Sequence, residues 1–579
     1  MYQQLKEMRT SQSVTDVFSG IDRNLRIADG FMSDMQNLTS DNYPMLSTRA
    51  PRVKVDTLVE ANGLIAKEKL AWISKRNFVY GGEDLTDRLS DMGIVLEDSR
   101  KTLVSMGAYL IILPDKVYIN TADFDDCGKI EAVWSNETPV TITMCMADGT
   151  AYGQYTSGKE APADPQAGQY WLDTSGETDV MMVFSNDCWV AVETVYSRIS
   201  CTGIGKQFRE GDGVTISGCV ADVLNGSKIL KKVSDNEIVI IGMVRNSVTQ
   251  EAGTLHMERR MPDMDYVTEC SNRIWGCRYG TVDGKTVNEI YCCKLGDFRN
   301  WNCFEGLATD SYRASVGTDG PWTGATTHMG YPLFFKENGM HKVFVSATGA
   351  HEIADTACRG VQPGCGGSLV VVDEGLYYLS TSGVCVYDGS LPVCISNNLG
   401  RARGYDAVAG TIDGKYYLSV RRDSGWEMLV YDTRQGIWVK EDDTQAVYME
   451  RLGDELYLLD PSGDLWGMTG RAEGEKEKTV PWSMTTGVIG YTDARQKYVS
   501  RFVLRMKLQD GASAQVLIRY NSGDWLPCGS INGNGLRSTV LPIRPRRCDH
   551  FQIKISGRGE MQLYSLGKVY ERGSDVCGY

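Results

Sequence analysis

Only five histidines serve 579 residues, so imidazole chemistry would have to run through His256, His328, His341, His351 or His550. A nucleophilic triad needs a hydroxyl or thiol against one of these and a carboxylate behind it. The chain has no Gly-x-Ser-x-Gly elbow to present such a nucleophile. It also lacks a His-Glu-x-x-His helix and a Gly-x-x-x-x-Gly-Lys-Ser/Thr phosphate loop. His328 in "ATTHMGYP" and His341 in "NGMHKVFV" stand in strand–turn contexts, where a hydrogen-bonded packing role is expected. Glycoside cleavage would need two carboxylates a few ångströms apart. Acidic residues abound, but sequence pairs none of them; "SVGTDGPW" and "SVRRDSGW" share only a loose likeness to the Asp-turn repeats of sialidases.

Seventeen cysteines raise disulfide and zinc readings, yet no Cys-x-x-Cys occurs. The spacings Cys270 to Cys277 and Cys358 to Cys365 match no metal knuckle. Most thiols lie in strand-like runs such as "IYCCKLGD" and "GVCVYDGS", where cysteine acts as a small buried hydrophobe. Trp171 and Trp189 could stack on a sugar ring; the competing role is the core of a module too small to do without them. The expectation is therefore of no catalytic residue, no cofactor and no metal: a chain that is not an enzyme, with Trp171 and Trp189 as its glycan-binding candidates.

The elements that would carry these residues are strands. Sixty-two glycines, 29 tyrosines and 12 tryptophans against 16 prolines describe many short strands joined by tight turns. Phrases such as "GYPLFFKENGMHKVFVS", "DEGLYYLSTSGVCVYDGS" and "GDELYLLDPSGDLWGMTG" repeat one grammar: aromatic-rich strand, Gly/Asp/Asn turn, strand. Units from 271 to 440 recur at about forty residues, the length of a four-stranded blade. Packing blades round an axis buries faces that a lone sheet would leave bare. The fold expected is all-β: a β-propeller of six or seven blades with an inserted small β module and a C-terminal β-sandwich. Stacked β-sandwiches fit the even spacing less well.

The boundaries expected are an extended N-terminal arm at 1–50, first blades at 51–130, the insertion at 131–261, remaining blades at 262–480 and the sandwich at 481–579. Basic residues Arg537, Arg544, Arg546, Arg547 and His550 gather in the last part, as a solvated edge or as a contact for an acidic neighbour. A net charge of −14 disfavours gripping phosphate backbones. No run of eighteen apolar residues suggests a membrane span, and "MYQQLKEMRT" is not followed by the apolar stretch of a secretory signal.

The stretch "VFSGIDRNLRIADGFMSDMQNLTSDNYPMLSTR" resembles the N-terminal signature of tail-hub, or nozzle, proteins of tailed bacteriophages, among them the packaged-DNA stabilisation proteins. The resemblance rests on Phe18, Gly20 and Ile21, on Asp34, Asn37 and Leu38, and on Tyr43, Pro44, Leu46 and Arg49. "GYPLFFKENGMHKVF", "VYDTRQGIWVKED" and "PADPQAGQYWLDTS" are similar to later parts of phage tail proteins. It implies a virion structural protein, made in the host cytoplasm, in a homo-oligomeric ring (a hexamer) beneath portal and adaptor. Such a ring would help retain packaged DNA and let it pass without sequence-specific binding. On this view Phe18, Asp34, Asn37, Leu38, Tyr43, Pro44 and Arg49 lie on an arm that contacts a neighbouring subunit. A distal-tail protein that binds a host glycan, or a depolymerase that cuts it, are the alternatives.

Overall fold

The computed structural model describes residues 10–572 apart from 283, 348, 402, 493, 494, 534 and 545. Strand is its dominant regular structure, and one short α-helix, Thr86–Asp91, occurs among the described residues. The strands form many small sheets, nearly all antiparallel.

Seven of these sheets follow one plan. Each is an antiparallel arrangement whose middle strands, such as Tyr331–Lys336, Gly375–Ser380 and Lys415–Arg422, are buried on both faces, which their near-continuous apolar and aromatic residues allow. The first spans Ala61–Ala66 to Glu83–Asp84 and the second Thr102–Met106 to Cys127–Lys129. The third runs from Tyr266–Glu269 to Tyr312–Ser315, the fourth from Gly324–His328 to His351–Ala357 and the fifth from Val370–Val372 to Val393–Cys394. The sixth covers Tyr405–Ile412 to Ile437–Lys440. The seventh is composite. Its strands Tyr448–Leu452, Glu455–Leu459 and Asp464–Gly467 are completed by Val53–Thr57, which runs antiparallel to Asp464–Gly467. First strands of consecutive sheets lie side by side, the turn Gly366–Ser368 helping at the fifth, and the seventh sheet's first strand returns to Ala61–Ala66.

Residues 132–259 leave this series between the second and third sheets. Their entry strand Ala132–Ser135 pairs with their exit strand His256–Arg259, so the excursion returns to its base. They hold three further sheets around a separate apolar core that includes Val140, Ile142, Ile199, Val214 and Ile240. After residue 480, two larger sheets share a core in which Phe502 stacks on Phe551 at 6.4 Å.

The N-terminal segment, expected as an extended arm packed partly on the blades and partly on a neighbour, pairs within this chain over its described residues. Met32–Gln36 pairs with Pro481–Thr486, Leu46–Ser47 with Gln562–Leu563, and Thr10–Thr15 with Leu566–Glu571. Phe18, Ile21, Met32, Met35, Leu38 and Leu46 are at most 1% exposed and share one core with sheets four to seven and the C-terminal pair. Ile21 N donates to Trp438 O at 2.8 Å. Gly20, at φ +84°, passes so close that a Cβ would sit 2.3 Å from that same oxygen, so only glycine fits.

Charge completes the joint. Arg52 bonds Glu441 and Asp442, each at 2.8 Å, while Arg49 reaches Glu477 at 2.7 Å and Asn37 Oδ1 at 2.8 Å. Burial works against the charge on Asp442, but Arg52, Thr444 and Arg49 together outweigh it and hold the carboxyl below its ordinary value. Breaking a buried pair strands the partner's charge. Arg52→Met keeps the volume and leaves Glu441 and Asp442 only Arg49 at 3.8 Å. The expected loss is about 3–5 kcal/mol in chemical denaturation; a loss under about 1 kcal/mol would show that the pair does not hold the joint.

Candidate functional site

The nominated signature residues divide by exposure. Phe18, Asn37, Leu38 and Arg49 are buried within the chain's own joint and have no surface to offer a neighbour; this corrects their assignment as interface residues. Their burial follows from the pairings above: Asn37 Nδ2 donates to Pro481 O at 2.7 Å, and Phe18 N donates to Pro44 O at 3.0 Å. Asp34, Tyr43 and Pro44 remain exposed. Trp171 is buried at 7% exposure and packs edge-on against the half-buried Trp189 at 5.4 Å, with Phe184 beyond it at 5.3 Å. Strand alternation sets these three on the face of their small sheet opposite Leu172 and Met181, which pack into the insertion's core.

Each histidine has a local role. His341 Nε2 meets Thr318 Oγ1 at 2.8 Å and Asp355 at 3.4 Å, and burial lowers its pKa despite Asp355. His328 packs against Tyr387, His351 lies between Trp275 and Tyr312, and His256 meets Ser135 Oγ. His550 joins Ser522 Oγ at 3.0 Å and Asp549 at 3.1 Å, a serine–histidine–aspartate chain in outline. It sits on a hairpin tip with Ser522 exposed, and the amides of Asn521, Gly523, Asp549 and His550 are spent within that turn. No amide of this set is left to stabilise an oxyanion.

Among the described residues, Cys303, Glu305 and Asp310 bring three possible metal ligands within 4.8 Å of one another. Their capacity is taken up: Asp310 accepts the amides of Glu305 and Leu307, and Glu305 pairs with Lys231. The described cysteines are free thiols, mostly buried, and desolvation raises those whose pKa shifts, Cys145 to about 11.

Two clefts gather more chemistry. One, of about 450 Å³, lies beside the fourth sheet and is lined by Thr318, Asp319, Lys336, His341 and Asp355. Lys336 is 4% exposed, sits 4.5 Å over the Trp322 ring, and is shifted down by desolvation. The other, of about 480 Å³, opens between the fifth and sixth sheets. Its lining carries Arg401, Arg403 and Arg422 and no acidic residue. Both clefts sit where the second hairpin of a sheet meets the connection between sheets. "SVGTDGPW" lines the first and "SVRRDSGW" supplies Arg422 to the second. The arginine cleft was not foreseen, since its members come from two sheets and only "GRARG" hinted at a local basic cluster.

The seam between the seventh and first sheets carries an apolar cluster, Leu64 and Leu70 with Leu459 and Leu465, and two side-chain hydrogen bonds among the described residues. Tyr448 OH donates to Asn62 O at 2.8 Å, and Ala66 N donates to Glu450 Oε2 at 3.4 Å.

No protein-family model matches the chain, and no curated protein matches it. Solved structures similar to it include an exo-β-1,3-galactanase from Phanerochaete chrysosporium, at 9% identity and TM-score 0.21 over 52% of this chain and 95% of that one. The computationally designed Ika8 protein is similar at 9% identity and TM-score 0.31, over 72% and 99%. The phage phi92 endosialidase is similar at 9% identity and TM-score 0.16, over 80% and 61%. Glycoside hydrolases among these neighbours correct the expectation that the chain is not an enzyme: missing sequence motifs do not exclude one. Likenesses this distant fix no reaction.

Glu450 is the titrating group of the seam. Desolvation pushes its carboxyl up to about 7, with the Ala66 amide only partly opposing. A carboxyl raised on folding adds stability that is full below its unfolded pKa and lost as pH rises through 7. Glu450→Gln should therefore gain stability over wild type by about 1–3 kcal/mol between pH 5 and pH 8. Denaturation at the two pH values tests this; a difference independent of pH would contradict it.

Proposed function

We propose that this chain is a structural protein of a tailed-phage virion, part of the tail hub or nozzle below portal and adaptor. Its seven sheets are read as blades of one β-propeller, carrying an inserted β module and a C-terminal β-sandwich. One observation supports the reading above others. Several residues of the hub-like signature join the N-terminus, the series of sheets and the C-terminal pair: Gly20 and Ile21 at Trp438, Asn37 at Pro481 and Arg49 at Glu477. A signature that builds the joint goes with the architecture it builds.

The chain then assembles as a homo-oligomeric ring, a hexamer, through a contact repeated by every subunit. Asp34, Tyr43 and Pro44 are the signature residues exposed for that contact. The acidic surface lets DNA pass without sticking.

A distal-tail protein that recognises or cuts a host glycan is the second reading, supported by the aromatic face of Trp171, Phe184 and Trp189 in the insertion. Electron microscopy of particles carrying a tag on this chain separates the two. The hub reading expects ring density directly beneath the portal and adaptor, and particles that lose packaged DNA when the gene is silenced. Tag density at the distal tip, with DNA retained, would contradict it.

A further inference from the structure

The cleft between the fifth and sixth sheets is unusual for an acidic chain. Its three lining arginines face hydroxyl and amide side chains from Thr381, Ser382, Ser396 and Asn397, over an apolar floor of Leu379, Leu418 and Val420. The cationic end is built into the fold. Arg422, its side chain 8% exposed, bonds Glu427 at 2.9 Å, and Arg23 bonds the same carboxylate at 2.8 and 2.9 Å. Lys440 approaches it at 3.9 Å. One buried carboxylate thus serves two arginines, while Lys440 pairs more closely with Asp443 at 2.7 Å. Burial lowers the pKa of Arg422, Glu427 opposes that, and the charge of Arg23 lowers it further, as expected where positive charge is in excess.

Arg401 and Arg403 extend this charge to the cleft mouth. Among the described residues neither has a carboxylate within ion-pair distance; Arg403 donates to Gln362 Oε1 at 3.4 Å and lies over the Tyr405 ring. Their approach follows the connection that leaves Val393–Cys394, where Asn397–Leu399 makes one tight turn and Gly400, at φ +76°, ends it. Residues 23–24 pin that connection from the other side. Arg23 N donates to Asn398 O at 2.7 Å, and Asn24 Nδ2 to Asn397 O at 3.2 Å.

We propose that this cleft binds a small carboxylated sugar, one or two saccharide units long. Arginine forks suit a carboxylate because two parallel N–H donors match its two oxygens. Serine, threonine and asparagine side chains offer the remaining contacts to ring hydroxyls, and the apolar floor suits the C–H face of a sugar ring. A cavity of about 480 Å³ holds such a ligand and not a long one. A nucleic-acid strand fits less well, since a net charge of −14 repels a polyanion over the surface around a single basic cleft. The assignment does not depend on where in a particle the chain sits.

Calorimetric titration of the full chain with glucuronate tests it, with galactose, inorganic phosphate and a short single-stranded DNA as separate arms. Glucuronate should bind with a dissociation constant on the order of millimolar, galactose more weakly. Arg401→Ala with Arg403→Ala should weaken glucuronate binding about tenfold or more, with thermal unfolding unchanged because both side chains are exposed. Should the double variant unfold early, Arg401→Ala alone gives the readout, expected to weaken binding several-fold. The proposal fails if glucuronate does not bind, or if the variants bind it as tightly as wild type. It also fails if galactose, phosphate or the DNA strand matches glucuronate.

Discussion

Everything in this architecture leans on the pairing of Val53–Thr57 with Asp464–Gly467. Without it, the seventh sheet has an open edge, and the series of sheets ends where it should return to its start. Joining residues some four hundred positions apart closes a long loop, whose entropic cost grows only slowly with length. The contacts that follow closure are many. The arginines at 49 and 52 enter the acidic group of Glu441, Asp442 and Glu477, and the Tyr448 and Glu450 contacts reach the first sheet. A preceding segment then continues into the two C-terminal sheets, so the N-terminus serves three bodies at once.

This arrangement explains the buried polar residues of the joint itself. Asn37, Ser40, Arg49, Arg52 and Lys415 are all less than a tenth exposed, and each finds a partner across the joint. Ion pairs of this kind add little net stability over a well-packed apolar contact, but removing one partner is costly. Their geometry also sets how the segments meet. The insertion, by contrast, holds its own apolar core and returns through one strand pair, so it can vary in size without disturbing the series of sheets.

The strands were legible because their chemistry is local. Aromatic-rich apolar runs and Gly/Asp turns identify units such as Lys415–Arg422 with Gly425–Asp432 without reference to anything distant. Two such sheets precede the insertion and five follow it. The semi-polar segment at 18–49 misled for the opposite reason. Its serines, asparagines and arginines look solvated in sequence, and only the distant carboxylates Asp432, Glu441 and Glu477 show that they are buried and paired. The arginine cleft was hidden likewise, since Arg403 lies on the connection before Tyr405–Ile412, Arg422 ends the strand Lys415–Arg422, and Arg23 arrives from the far end of the chain.

Hydrogen exchange of the native chain, resolved to individual segments, addresses closure most directly. If Val53–Thr57 seals the ring, its amides exchange only as slowly as those of Asp464–Gly467 and the inner strands, through one shared opening. Fast exchange at Val53–Thr57 while Glu455–Leu459 stays protected would mean that the seventh sheet stands without it, and the account of the joint would be wrong.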